Sequence, residues 1–298
     1  MLSAKGFAAT WKFIGMFRDG LICTVSLSAL TVFFGFILAL FLAVMRLSDF
    51  RPFRALGLTK DGKLRENNAF LSALSRFNPI SFVATVYVEV FRATPMLVQL
   101  FIIYYIVFAP VKIPTFKLFG FIRFERFLPG VVALAMNSGA YLCEIIRAGI
   151  QSIDGGQTEA ARSLGMSQVQ NMRFIVLPQA IKNILPAIAN EFVTIIKESS
   201  VCYTIGVQDI MYAVSSVKGA TFSIGEPLIV ATCVYFCLTF PTSKIIAHFE
   251  RKMSVGDRRN GNDGSSKKRK ELNQERKRKS GFAGVGGQAT LVWGDDDR

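Results

Sequence analysis

The sequence predicts an all-α, polytopic membrane protein with about five transmembrane helices and one short helical loop between the third and fourth. Three observations predict it. Of 298 residues, 51% are hydrophobic and the mean hydropathy is +0.37, too apolar for one soluble domain. The apolar residues gather in runs of the roughly 20 residues that a helix needs to cross the hydrocarbon layer. Between two of these runs lies a polar stretch, residues 158–178, that carries the punctuation of two capped helices.

The formal charge of +14 matches a nucleic-acid binder until it is located. Residues 251–298 hold 13 Lys+Arg against 7 Asp+Glu, and the first 250 residues hold 22 against 14. The excess is therefore split between a tail and the loops of an apolar body. The tail is Gly-rich and carries KKRK at 267–270 and RKRK at 276–279. Such a segment cannot bury a core and is expected to be disordered, touching anionic lipid. Basic clusters without interleaved aromatics imply no specific nucleic-acid partner. The five cysteines lie in or beside apolar runs, and the only histidine is His248. Buried reduced thiols are expected, with no metal site and no disulfide framework.

In chain order, residues 1–19 form an N-terminal segment with Trp11, Phe13, Met16 and Phe17 among Lys5, Lys12 and Arg18, read as a short interfacial helix. Span one is 20–45, without a charge; its length and lack of a small-residue cleavage site set it apart from a signal peptide. Ser26, Ser28, Ala29, Gly35 and Ala39 permit close helix packing there. Residues 46–78 form a loop with seven Lys/Arg, and 59–68 has turn composition, expected to be mobile.

Span two, 80–108, is interrupted by Glu89, Arg92 and Pro95. Glu89 and Arg92 are three apart and share a helix face. Thr94-Pro95 has the pattern of a helix restart, so a bend is expected. Residues 109–126 form a connector with two prolines. Span three is 127–150, span four 180–205, the least apolar, and span five 227–248. The domain division is then 1–19, a transmembrane body at 20–250, and the tail at 251–298.

The polar stretch reads as one helix over 158–164, capped by Thr158, then Gly165 in a left-handed turn, then a second helix over 167–176, capped by Ser167 and ending before Pro178. Glu159-Ala160-Ala161, Gly165, Ile175, Leu177 and Pro178 fill every position of the EAA loop pattern, EAA-x3-G-x9-I-x-L-P, and resemble ATP-binding cassette importer permeases. The run Phe91-Arg92-Ala93-Thr94-Pro95-Met96-Leu97-Val98-Gln99-Leu100-Phe101 is similar to the FRGTPLLVQLF stretch of their polar amino-acid subfamily. It departs at Ala93, where that subfamily has Gly, and at Met96. Asn137-Ser138-Gly139-Ala140-Tyr141 with Glu144 and Arg147 resembles the same group.

The resemblance implies the type I importer permease fold and uptake of a polar amino acid such as histidine, glutamate, glutamine or arginine. It implies a cytoplasmic coupling loop that grips a separate ATPase subunit, where ATP is bound. It also implies a second permease chain, identical or not, and an extracytoplasmic solute-binding protein, all at the inner membrane of a prokaryote. With the coupling loop inside, the inside segments carry seven and four Lys/Arg plus the basic tail, against three, four and one outside. The bias places the N-terminus outside and the C-terminus in the cytoplasm.

No glycine-rich phosphate loop with Gly-Lys-Ser/Thr is present, so no bound cofactor and no ATP hydrolysis by this chain are expected. No catalytic residues are assigned. On a helical wheel of about 100° per residue, Asn183, Asn190, Glu191, Thr194, Lys197 and Glu198 share about a third of span four's circumference. Charges on that stripe cannot face lipid cheaply. The stripe is either a wall of the pathway or a helix-helix seam. A zwitterion in a membrane needs fixed donors and acceptors. Gln99, Asn137, Tyr141, Asn190, Glu191 and Thr194 are therefore the candidate substrate contacts. Glu144 and Arg147 are read as an ion pair anchoring the coupling loop. Two other classes stay in view. An energy-independent channel or scaffold predicts a loop that binds nothing. A membrane-tethered nucleic-acid or lipid binder predicts that the tail is essential.

Overall fold

The computed structural model describes residues 2–48, 50–52 and 75–252. The expected mobile stretch at 59–68 and the tail beyond residue 252 lie outside the described residues. The chain divides into two units, Met1–Ala247 and His248–Arg298.

Helix α1 (Ala4–Trp11) is capped by Ser3, whose side chain accepts from the Gly6 N–H. Helix α2 follows at Ile14–Leu47, six residues earlier than the expected start of span one. The reason is packing. Phe17 is buried against Ile210, Ala213, Val214 and Val217, which draws the end of the N-terminal segment into the body. Span two is broken. Helices α3 (Pro79–Ala93) and α4 (Met96–Ile102, wound on as a π-turn through Val107) meet at Thr94-Pro95 with a bend of 113°. The bend expected from sequence is therefore sharper than a right angle, and 80–108 is not one continuous helix. Pro95 has no N–H to give, and both it and Thr94 take extended backbone.

The connector forms a two-strand hairpin, β1 (Lys117–Leu118) with β2 (Ile122–Arg123), an addition to the expected all-α body. Helix α5 (Phe124–Gln151) is span three and the most enclosed of the long apolar helices described. Helices α6 (Gly155–Ser163) and α7 (Gln168–Asn171) make the polar loop. Helix α8 (Leu177–Glu198) leads into a 3-10 segment, Ser199–Ile205, and together these cover span four. Helix α9 (Ile210–Thr221) and the long helix α10 (Gly225–Lys252) complete the described fold.

Among the described residues, α2, α5 and α10 are long and apolar enough to cross a membrane, and the bent α3–α4 pair makes a fourth if its two halves count as one span. Helix α8 has the length at 22 residues, but its polar stripe denies it the composition. The body is built on α2 against α5 through small residues: Gly139 approaches α2 so closely that a Cβ there would meet Leu38 Cδ2 at 2.8 Å. Ser28, Gly35 and Ala39 are buried as expected, while Ala29 is exposed. The outer side of α2, including Phe33, Phe41 and Val44, is exposed.

Candidate functional site

The polar loop is locally over-determined. Helix α6 starts at Gly155, not at Thr158, because Asp154 caps it by accepting from the Gly156 N–H at 2.9 Å. Asp-Gly-Gly ahead of the helical pattern was the sequence signal for this. Thr158 instead accepts a hydrogen bond from Asn171 Nδ2 at 3.2 Å, clasping α6 to α7. Helix α6 ends as expected at Gly165, with φ +79°. Met166 N–H donates to the Ala161 carbonyl and Gly165 N–H to the Arg162 carbonyl, the paired closure of a left-handed helix end. Ser167 then caps α7, with Gln170 reaching back to the Ser167 N–H.

The second helix does not stop before Pro178. A π-turn at Met172–Val176 carries α7 straight into α8. The wider turn, with Leu177 N–H on the Met172 carbonyl, absorbs the proline's missing donor. A cross-link of Gln157 and Gln179 side chains ties α6 to α8. Of the motif residues, Ala161 is buried, Ile175 is half-buried, and Glu159, Ala160, Gly165, Leu177 and Pro178 are exposed. Beside them Leu164, Val169 and Phe174 are 83, 75 and 62% exposed, an apolar face on a polar knob.

The six candidate substrate residues fall into different environments. Gln99 and Asn137 are brought together and buried. The two N–H donors of Gln99 Nε2 are shared among the Phe91 carbonyl at 2.8 Å, the Thr94 carbonyl at 3.0 Å and Thr94 Oγ1 at 2.7 Å. Asn137 Nδ2 donates to Gln99 Oε1 at 2.9 Å and to the Phe91 carbonyl at 3.3 Å. They satisfy carbonyls that the break after α3 leaves without helical partners. Tyr141, one turn on from Asn137, is part-exposed, with the Arg92 guanidinium 5.7 Å above its ring. On α8, Asn190 is exposed and Glu191 and Thr194 are half-buried, so the polar stripe does not face the chain's own core. Thr194 Oγ1 donates back to the Asn190 carbonyl at 3.3 Å.

Glu144 holds two arginines. Arg147 Nε donates to both its carboxylate oxygens at 3.0 Å, and Arg46 Nη1 reaches Oε2 at 2.9 Å. The sequence paired Glu144 with Arg147. The link to Arg46, at the end of α2, joins residues 98 apart and had no local sign. Arg147 also donates to Gln151 at 2.6 Å. The ion pair thus ties α5 to α2, rather than to the polar loop.

Comparison with known proteins fits this architecture. The family model for binding-protein-dependent transport system inner membrane components matches residues 69–255. The arginine transport system permease protein ArtQ of Bacillus subtilis is 36% identical over 251 residues, 84% of this chain and 98% of that protein. The putative glutamine transport system permease protein GlnP of Rickettsia typhi is 35% identical, over 80% and 92% of the two chains. Among solved structures, a chain of an amino acid ABC transporter crystallised with histidines superposes with a TM-score of 0.68 at 38% identity. That match covers 85% of this chain and all of the other. A chain of the inward-facing MetNI methionine ABC transporter, at 16% identity and a TM-score of 0.54, shares the fold. A helical, multi-pass body, the capped loop and these matches together establish that the chain belongs to the family of binding-protein-dependent transport system inner membrane components, as a permease subunit and not an enzyme.

Proposed function

We propose that this chain forms the transmembrane path of an ATP-driven importer for a polar amino acid, and that α6 and α7 dock an ABC ATPase subunit. The observation that carries the docking is the apolar face of Leu164, Val169 and Phe174 on a doubly capped, cross-linked knob. An exposed, rigid, mixed surface of this kind suits a partner groove. The relatives' names, with arginine and glutamine transport among them, support the substrate class.

The polar stripe of α8 and the thin cover on α10, 6% buried in its apolar window, support pairing with a second permease chain, identical or not. Two such chains facing one another would enclose Asn190, Glu191 and Thr194, with access alternating across the site. An extracytoplasmic solute-binding protein delivers the amino acid in this reading. The N-terminus lies outside and the C-terminus in the cytoplasm, with 20–250 as the transmembrane body and the basic tail beyond it.

The test is a membrane pull-down of wild type and of a Glu159→Lys/Gly165→Asp variant, each co-expressed with a candidate ATPase subunit. Capture by wild type alone is expected. Equal capture by both would move the docking surface away from α6 and α7.

A further inference from the structure

A cavity of about 250 Å³ opens where the end of α2, the start of α3 and the end of α5 converge. Arg46, Arg147 and Gln151 line its polar side, and Ala43, Leu47 and Ile150 its apolar side. Arg46 and Arg147 share the single carboxylate of Glu144, so these three side chains together carry +1, with Glu89 of α3 as a further carboxylate near Arg147. The flank beside it is apolar and open: Phe41, Val44 and Leu47 on α2 are 63, 68 and 56% exposed, and Phe82 and Val83 on α3 are 55 and 58% exposed.

We infer that this cavity binds the phosphate of an anionic phospholipid headgroup, with the acyl chains lying along the apolar flank of α2 and α3. A guanidinium pair fits phosphate oxygens better than it fits a neutral headgroup. The volume suits a headgroup and is below that usual for a pocket enclosing a drug-sized ligand. The sequence that joins α2 to α3, residues 48–78, holds six further Lys/Arg. Basic pockets between helices, at the end where positive charge collects, suit anionic lipid. A lipid held here by the helix bundle is independent of which solute the chain transports.

The experiment measures lipid retention by native mass spectrometry on the full chain in zwitterionic detergent. Phosphatidylglycerol, phosphatidylcholine and inorganic phosphate are offered separately. Two variants leave the three-membered ion cluster in place. Gln151→Glu keeps a partner for Arg147 and adds a carboxylate to the cavity wall, and Leu47→Trp fills the cavity. Circular dichroism confirms that both fold. Wild type is expected to hold phosphatidylglycerol about tenfold more tightly than phosphatidylcholine, the value of one charge-assisted contact, and both variants to lose that preference. Equal retention of the two lipids by wild type would overturn the site. So would an unchanged preference in both variants. Binding of inorganic phosphate as tight as that of phosphatidylglycerol would overturn the lipid as its occupant.

Discussion

Asn137 Nδ2 lies 2.9 Å from Gln99 Oε1, and both side chains are buried while spending their remaining donors on the backbone where α3 stops. This pair closes the break at Thr94-Pro95. Replacing Gln99 with Leu would strand the carbonyl of Thr94 and take from Asn137 one of its two acceptors, while the Phe91 carbonyl keeps its bond from Asn137. A loss of about 2–3 kcal/mol is expected, at about 1–3 kcal/mol for each buried group left unpaired. Thermal unfolding in detergent measures it. A variant as stable as wild type that fails only in transport would instead make Gln99 a substrate contact.

Gly165 sits at φ +79°, and a Cβ there would meet nothing within 4 Å, so only backbone strain opposes substitution. Gly165→Ala is expected to cost about 1 kcal/mol, and Gly165→Asn less, because Asn tolerates the left-handed turn. Hydrogen exchange localised to residues 155–171 should rise in the order wild type, Asn, Ala. A uniform change across the whole chain would contradict a local role.

Glu144 stands between two guanidinium groups. Glu144→Gln would leave Arg46 and Arg147 without the charge that bridges them, in a site where the carboxylate side chain is 20% exposed. Removing one member of an enclosed ion cluster costs more than the cluster contributes as a whole. A loss of about 2–3 kcal/mol is expected, allowing for partial exposure. Arg46→Met/Glu144→Leu/Arg147→Met, which removes all three charges together, should destabilise less than Glu144→Gln. Chemical denaturation of the two variants side by side decides the point.

Asp209 caps α9 through Oδ1, which accepts from the Tyr212 N–H at 2.8 Å, while its other oxygen is buried without a hydrogen bond. The crowding is tight, since a Cβ on Gly20 would lie 2.7 Å from the Asp209 carbonyl. Burial pushes the carboxyl from 3.8 up to about 8, against the pull of backbone N–H groups. The folded state therefore holds a proton that the unfolded chain has released. The stabilisation is complete below about pH 4 and is lost as pH rises to about 8. The apparent Tm of wild type should fall across that window. Asp209→Asn keeps a capping acceptor but cannot titrate, so its Tm should be nearly flat there.

Much of this protein was legible along the chain because membranes and caps act locally. Long apolar runs marked α2, α5 and α10. Gly165, Ser167 and the Thr94-Pro95 step each stated a backbone constraint that the fold obeys within a residue or two. Local rules also misplaced boundaries wherever a stronger neighbour competed: Asp154 took the cap given to Thr158, and a π-turn carried the helix through Pro178. Tertiary structure alone decided the 113° angle of the bend, the Gln99–Asn137 closure, the Arg46–Glu144 link across 98 residues and the burial of Asp209. These depend on which distant groups are removed from water or lipid together. Sequence spacing carries no record of that, because a buried polar group is satisfied by whatever partner folding brings within about 3 Å.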